Sequence, residues 1–462
     1  MERPSFNTNQ RLVELISFLG RFHPTFEDPE LTKENLHEVL FPGEDLQSHR
    51  INNHLSYLRP LIEDFLVFKQ VLLQPREKEQ MLVSALEDRN KEKLIEGSLR
   101  RRRKKILAET EMDEEWYFHL YRTEEIADRH FGAMNARTQD DSLAAKQKQL
   151  DLYYITTKLK DACEMMNRQR IIQVEYDYFL IDQILDSVSR GSIDLEANPI
   201  IEIYYTILLG FREPEERAHH DRLLELLDHN AKRIGKSELR GLYDYAKNYC
   251  IRKINTGHSD YLAKLFEVFK RTLKSEVIYL DGQLSEWDYK NIVTVGTRLK
   301  EFEWTREFIE KQIAYLPKER QENAYVYNLA VFFYAMEDLD RTIELLRDVQ
   351  FTDFSYNLGG RITLIKAYYD AEQHDPLLSA VTSFKLFLQR SKLLSPAQSR
   401  VNYNLIRFTE RLSRLRFKRP FTSAKAWKES FAKLEKQVEE TPNIANKAWL
   451  VERLKMLAPI SK

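Results

Sequence analysis

Glycine and proline are too scarce in this chain for it to be built from tight turns and hairpins. It holds 13 glycines and 14 prolines in 462 residues, about half the usual share of each. Sheets joined by short turns depend on both residues, because they supply the positive-φ and fixed-φ positions that turns require. Apolar residues make up 43% and charged residues 31%, which leaves enough carbon to bury a core and argues against general disorder. The expected fold class is all-α, at the scale of about three domain lengths.

Cys163 and Cys250 are the only cysteines, 87 positions apart. Two thiols cannot build a disulfide framework or a cysteine-rich zinc site. The simplest reading is two reduced thiols inside helices, with a single bridge left open. The opening residues MERPSFNTNQ contain no apolar core of signal-peptide length, and no stretch approaches a membrane span. These features lead to the expectation of a cytoplasmic protein without a membrane segment.

Net charge is −1, but it is unevenly spread. From Lys385 to Lys436 there are 14 Lys or Arg and 3 Glu, a local +11, so the rest carries −1 − 11 = −12. This asymmetry is the clearest physical signal about partners.

Three regions follow from the pattern. Residues 1–75 read as a small helical unit. Leu12, Leu15, Ile16 and Leu19 share one face, with Asn7 or Thr8 as cap; Thr32 caps a second helix, Pro42-Gly43 turns the chain, and Ile51, Leu55, Leu58 and Ile62 mark a third. Pro60 within that third helix predicts a kink or break. Residues 76–140 read as a charged helical arm, hairpin or connector, with EDRNKEK at 87–93 and six basic residues from Arg100 to Lys105. A second helix is expected around Trp116, Phe118, Tyr121 and Ile126, and a boundary at 135–142. Residues 141–462 read as a series of helices. Asn198-Pro199, Asp375-Pro376, Ser395-Pro396 and Thr441-Pro442 are expected helix starts, since proline at the first helical position loses no hydrogen bond.

An internal period lies between about 287 and 390. Trp304, Phe308 and Ala314 are followed 35 positions later by Leu339, Ile343 and Val349; Ala330, Phe333 and Tyr334 by Ile365, Tyr368 and Tyr369; Leu346 and Val349 by Val381 and Phe384. A helix pair every 34 or so residues marks tetratricopeptide repeats, and YNLAVFFYAMEDLDRTIELLRDV (Tyr327–Val349) resembles one such unit. Ala330 is then the small residue of the first helix, Phe333 the packed aromatic, Leu339 the apolar residue after the turn, and Leu346 the large residue of the second helix. Two positions depart from the family pattern: Glu337 replaces the usual turn glycine and Thr342 the usual alanine. Over 143–285 the interval widens to 40–50, judged from Tyr153-Tyr154, Tyr204-Tyr205 and Tyr243/Tyr245. Elsewhere the chain resembles uncharacterised bacterial helical-repeat proteins, a resemblance that implies no activity. The tetratricopeptide resemblance implies a right-handed α-solenoid of helix pairs that binds protein or peptide partners. It implies no catalysis and carries over no binding residues.

The strongest candidate for a site is a basic stripe. Val401, Leu405, Phe408, Leu412 and Leu415 form the buried face of one helix, while Arg400, Arg407, Arg411, Arg414 and Lys418 lie within about 60° of one another on its flank. Guanidiniums in a row can grip phosphates or carboxylates, so this flank is a candidate acidic-ligand site. Pairing with neighbouring acids, or plain solvation, explains it too. Arg100 to Lys105 wraps its helix and suits a solvated arm better than a nucleic-acid groove. The helix HRINNHLSYLR (His49 to Arg59) offers Arg50, Asn52, Asn53 and His54 as base readers, without a basic excess around it. His219, His220 and His229 with Asp221, Glu225 and Asp228 form the densest cluster of metal-ligand types, which a polar helix face explains equally. There is no phosphate loop, no GxGxxG and no HExxH; Gly359-Gly360 follows a helical pattern. Neither a cofactor nor a metal is expected. The leading expectation is a non-catalytic scaffold for a protein or peptide partner, with acidic character matching the stripe. The second is a nucleic-acid-associated or regulatory protein using the N-terminal unit and the stripe; an unrecognised enzyme stands third.

Overall fold

A computed structural model describes residues 9–134, 141–172, 174–391 and 393–458. The chain is all-α and 77% helical. It divides into two compact units, Met1–Pro214 with Lys232–Gly235, and Glu215–Ala231 with Lys236–Lys462. The expected cap by Asn7 or Thr8 and most of the expected boundary at 135–142 lie outside the described residues; the observed cap is Asn9, whose side chain accepts from the Arg11 N–H.

The first unit contains α1 (Gln10–Gly20), α2 (Lys33–Leu40), α3 (Ser48–Leu73), α4 (Pro75–Glu87), α5 (Glu92–Ala108), α6 (Glu114–Met134), α7 (Ser142–Ile172), α8 (Ile181–Ser189) and α9 (Pro199–Arg212). Helices α1–α3 enclose a small core of Leu12, Leu15, Phe18, Leu36, Phe41 and Ile51, and Thr32 caps α2 as expected. The break expected at Pro60 does not occur, because α3 runs through it. Pro60 and Ser56 are both exposed, so water can satisfy the carbonyl whose N–H partner the proline removes.

The charged segment corrects a second expectation. EDRNKEK is the turn of an α4–α5 hairpin, with Asn90 in the left-handed region at φ 51°. That hairpin does not project as a solvated arm. It packs against α6 around Val83, Ile95, Leu99 and Ile126.

The second unit contains α10 (Arg217–Asn230), α11 (Lys236–Asn255), α12 (Tyr261–Lys274), a two-strand hairpin β1 (Tyr279–Leu280) and β2 (Gln283–Leu284), α13 (Glu286–Arg298), α14 (Phe302–Gln312), α15 (Lys318–Ala335), α16 (Leu339–Arg347), α17 (Phe354–Asp370), α18 (His374–Arg390), α19 (Pro396–Lys418), α20 (Ala424–Glu440) and α21 (Lys447–Leu457). Each helix from α10 to α19 contacts its successor, and α13 also contacts α15, α15 contacts α17, and α19 contacts α21. Ala330, Phe333, Leu346, Ile365, Val381 and Phe384, which carry the 35-residue period, are all buried.

Two of the four proline starts hold: α9 begins at Pro199, and Ser395 closes a capping box with Gln398 before Pro396. Asp375-Pro376 lies inside the first turn of α18, which begins two residues early because the Gln373 N–H closes the end of α17 on Tyr368 O. Thr441-Pro442 terminates α20 instead of starting a helix. The Thr441 hydroxyl donates to Gln437 O and the Lys447 ammonium to Thr441 O, so the proline acts as a stop.

Candidate functional site

A cleft in the second unit is built from the starts of α13 and α17 and the first turn of α15. Ser285 caps α13 by accepting the Trp287 N–H, and Asp353 caps α17 by accepting the N–H groups of Ser355 and Tyr356 at 2.8 and 3.1 Å. These caps fix the helix ends and so the side chains one turn in. Lys290 reaches across to Ser355, its ammonium donating to the hydroxyl at 3.2 Å. The same nitrogen lies 4.9 Å from the Tyr327 ring centre, 5.7 Å from Tyr356 and 5.9 Å from Trp287.

Among the described residues no carboxylate lies within ion-pair distance of Lys290. Burial holds its pKa below the ordinary ammonium value, with Asp353 acting in the opposite sense. Arg320 occupies the neighbouring carboxylates, lying 3.4 Å from Glu286 and 3.5 Å from Asp353. The space enclosed is about 260 Å³, and Trp287 stands at its mouth, 66% exposed.

Gly359 explains how the aromatic floor fits. A Cβ there would stand 2.7 Å from the Tyr327 ring, so only glycine lets that tyrosine lie against α17. Glycine inside a helix costs about 1 kcal/mol relative to alanine, so its presence in a helical pattern is a sequence signal of this close approach that the reading of the motifs alone passes over.

The chemistry available is recognition. A partly desolvated ammonium beside a hydroxyl and an exposed indole can hold a polar or anionic group next to an apolar one. Ser355 and Lys290 form a hydroxyl–amine pair, but the N–H groups of Ser355 and Tyr356 are taken up by Asp353. They are therefore not available to stabilise an oxyanion.

No family model matches the chain, and no curated protein or solved structure matches it either.

The basic stripe lies on α19 as expected, with Leu405, Phe408 and Leu412 fully buried behind it. Its members do not act as one row of open guanidiniums. Arg414 pairs with Glu410 at 2.9 Å, within the helix, and Glu410 also takes the Lys385 ammonium at 2.7 Å. Arg411 donates to Gln437 of α20, and Arg407 lies over the Phe408 ring at 4.4 Å. Arg400 and Lys418 are exposed.

In the basic run of α5, Arg102 is 1% exposed, contrary to a solvated arm. It donates to Thr123 Oγ1 at 2.8 Å, Arg76 O at 2.5 Å and Gln80 Oε1 at 3.3 Å, and meets His119 Nδ1 at 3.1 Å. Arg103 makes a two-pronged bond to Glu124 at 2.6 and 2.5 Å. A run that wraps its helix sends some members inward, and only neighbouring helices decide which.

On α3, Arg50 pairs with Glu44 and lies over the Phe41 ring at 3.7 Å, and His54 packs on the same ring. Asn52 and Asn53 remain exposed.

The histidine cluster separates. Asp221, Glu225 and Asp228 each pair with a cation, Lys264, Arg222 and Arg271. Among the described residues no group of three or more His, Cys, Asp and Glu is placed to hold a metal ion. Cys250 Sγ lies 3.3 Å from His220 Nε2, and His220 Nδ1 lies 3.6 Å from Asp221. Burial pushes the Cys250 thiol up to about 12 and the His220 imidazole down. The thiol stays protonated, so the arrangement is not an activated nucleophile. Cys163 and Cys250 are both free and buried.

Proposed function

We propose that this chain is a non-catalytic helical scaffold that binds a protein or peptide partner, with the Lys290 cleft as the anchoring point. The observation that carries this reading is the alignment of Trp287, Lys290, Arg320 and Tyr356 across the first turns of three helices that contact one another in series. Contact of α13 with α15 and of α15 with α17 supports the tetratricopeptide-like arrangement, in which such first helices line a shared binding surface. An extended segment laid across them would set an apolar side chain on Trp287 and an acidic or polar group on Lys290. Ion pairs at the rim add selectivity more than affinity.

The nucleic-acid reading is the less favoured one, because Arg411 and Arg414 of the stripe and Arg102 of the basic run already have partners within the fold. No helix among the described residues is long and apolar enough to cross a membrane.

The test is affinity capture by the full chain from lysates with and without nuclease, beside a Trp287→Ala, Lys290→Gln variant of unchanged melting temperature. The reading expects nuclease-resistant protein partners that the variant loses. Capture that disappears with nuclease, or that the variant retains in full, overturns it.

A further inference from the structure

A second cavity, of about 350 Å³, lies between α16, α17 and α18. Leu346, Val349, Phe351, Leu364 and Ala380 supply the carbon of its walls, and Asn357, Arg361, Ser379 and Ser383 supply polar groups in about equal measure. Gly360 shapes one side, since a Cβ there would stand 2.7 Å from the Phe351 ring. Arg361 projects from α17 with its Nε donating to Asn357 Oδ1 at 2.7 Å and its Nη1 to Ser383 Oγ at 2.9 Å. Its guanidinium lies over the Phe387 ring at 4.8 Å, and Phe387 stacks on Phe354.

These contacts orient the guanidinium without neutralising it. Two of its five N–H donors are used, both on neutral acceptors, and among the described residues no carboxylate pairs with it. No aspartate or glutamate lines the cavity. The other arginine at its edge, Arg347, is paired with Asp348 at 2.9 Å. The cavity therefore presents one uncompensated, partly desolvated positive charge beside the carbon of Leu346, Phe351 and Leu364. Burial lowers the Arg361 pKa, and no neighbouring charge offsets it.

A half-buried charge of this kind is stabilised by an anion brought to it. The remaining Nη donors form the planar fork that fits a carboxylate, and the size is at the small end of small-molecule pockets. We propose that this cavity binds a small monocarboxylate with an apolar body, its carboxylate on Arg361 and its carbon chain against Leu346, Phe351 and Leu364. The site is separate from the Lys290 cleft and does not rest on a peptide partner.

Calorimetric titration of the full chain with sodium octanoate tests this, with octanamide, octylamine and acetate beside it. Saturable binding of octanoate is expected, at least about tenfold tighter than octanamide or acetate, and none of octylamine. Arg361→Gln should weaken octanoate about ten- to a hundredfold, the loss of a charge-assisted contact, and leave octanamide unchanged. Ala380→Leu should exclude both by filling the cavity. If Arg361→Gln fails to fold, Arg361→Lys, which keeps the charge without the fork, carries the same test and should weaken octanoate several-fold. Absence of saturable binding, equal affinity for octanoate and octanamide, or undiminished octanoate affinity in the Arg361 variants overturns the proposal.

Discussion

Glu337 and Glu372 stand 35 positions apart and both lie in the left-handed region, at φ 63° and 60°, directly after a helix. In each case the next residue closes the helix end: the Asp338 N–H donates to Phe333 O at 3.0 Å and the Gln373 N–H to Tyr368 O at 2.9 Å. Lys300 does the same after α13, at φ 61°, with the Glu301 N–H on Gly296 O. This is the Schellman closure that glycine usually supplies. Thr342, the other departure from the repeat pattern, is fully buried and donates its hydroxyl to Asp338 O at 2.8 Å.

Restoring glycine at these turns should stabilise the second unit. A side chain in the left-handed region costs about 1–2 kcal/mol, and glycine returns part of that as unfolded-state entropy. Glu337→Gly and Glu372→Gly are each expected to gain about 0.5–1 kcal/mol in urea denaturation. A loss in either would mean that its side chain makes a contact worth more than the strain.

Members of one basic run should respond in opposite ways. Arg102→Met removes the donor to Thr123, Gln80 and the Arg76 carbonyl, and is expected to cost about 3 kcal/mol or more, the penalty of stranding buried polar groups. Arg100→Met, at an exposed position of the same helix, should change stability by about 0.5 kcal/mol or less. Thermal melts of the two variants decide it, and equal effects would place the run outside the packing described.

Replacing Arg407, Arg411 and Arg414 by glutamine should have little effect on stability. The Arg414–Glu410 pair is largely exposed on the arginine side, and such pairs contribute about 0–1 kcal/mol. Melts at low and high salt should converge for the variant and the parent, because salt screens what little the pair adds. A loss well above 1 kcal/mol would make the stripe a structural network.

Lys366 should make stability rise with pH. Its ammonium lies over the Tyr334 and Trp449 rings at 4.5 and 5.7 Å, while nearby Asp370 is bound by Arg453, Trp449 and Tyr334. Burial lowers its pKa from 10.5 to about 8, with Asp370 and Glu452 opposing and Arg453 adding. The unfolded chain therefore binds the proton more strongly, and stability increases as pH rises from about 8 toward 10.5. Ionisation of unfolded tyrosines reverses the trend above about 10. Between pH 7.5 and 9.5 the parent should gain about 1–2 kcal/mol relative to Lys366→Met. Parallel pH profiles would remove Lys366 as the cause.

The amino-acid sequence by itself determined the all-helical class, because scarce glycine and proline and a 3.6-residue apolar period are local properties. It also marked the caps at Thr32 and Ser395 and the buried face of Leu405, Phe408 and Leu412, where propensity and packing agree. Tertiary structure decided what local pattern cannot encode. Arg102 is interior while Arg100 is not, since α4 and α6 cover only one side of α5. Pro60 stays inside α3 at an exposed position, where solvent can satisfy the carbonyl it frees. Lys290 and Ser355, 65 positions apart, meet because α13 and α17 flank α15. Among the described residues Arg361 meets no acid, because α18 presents Ser383 to its guanidinium. The identity of a charged residue is written in the sequence; whether it is paired depends on which helix packs beside it.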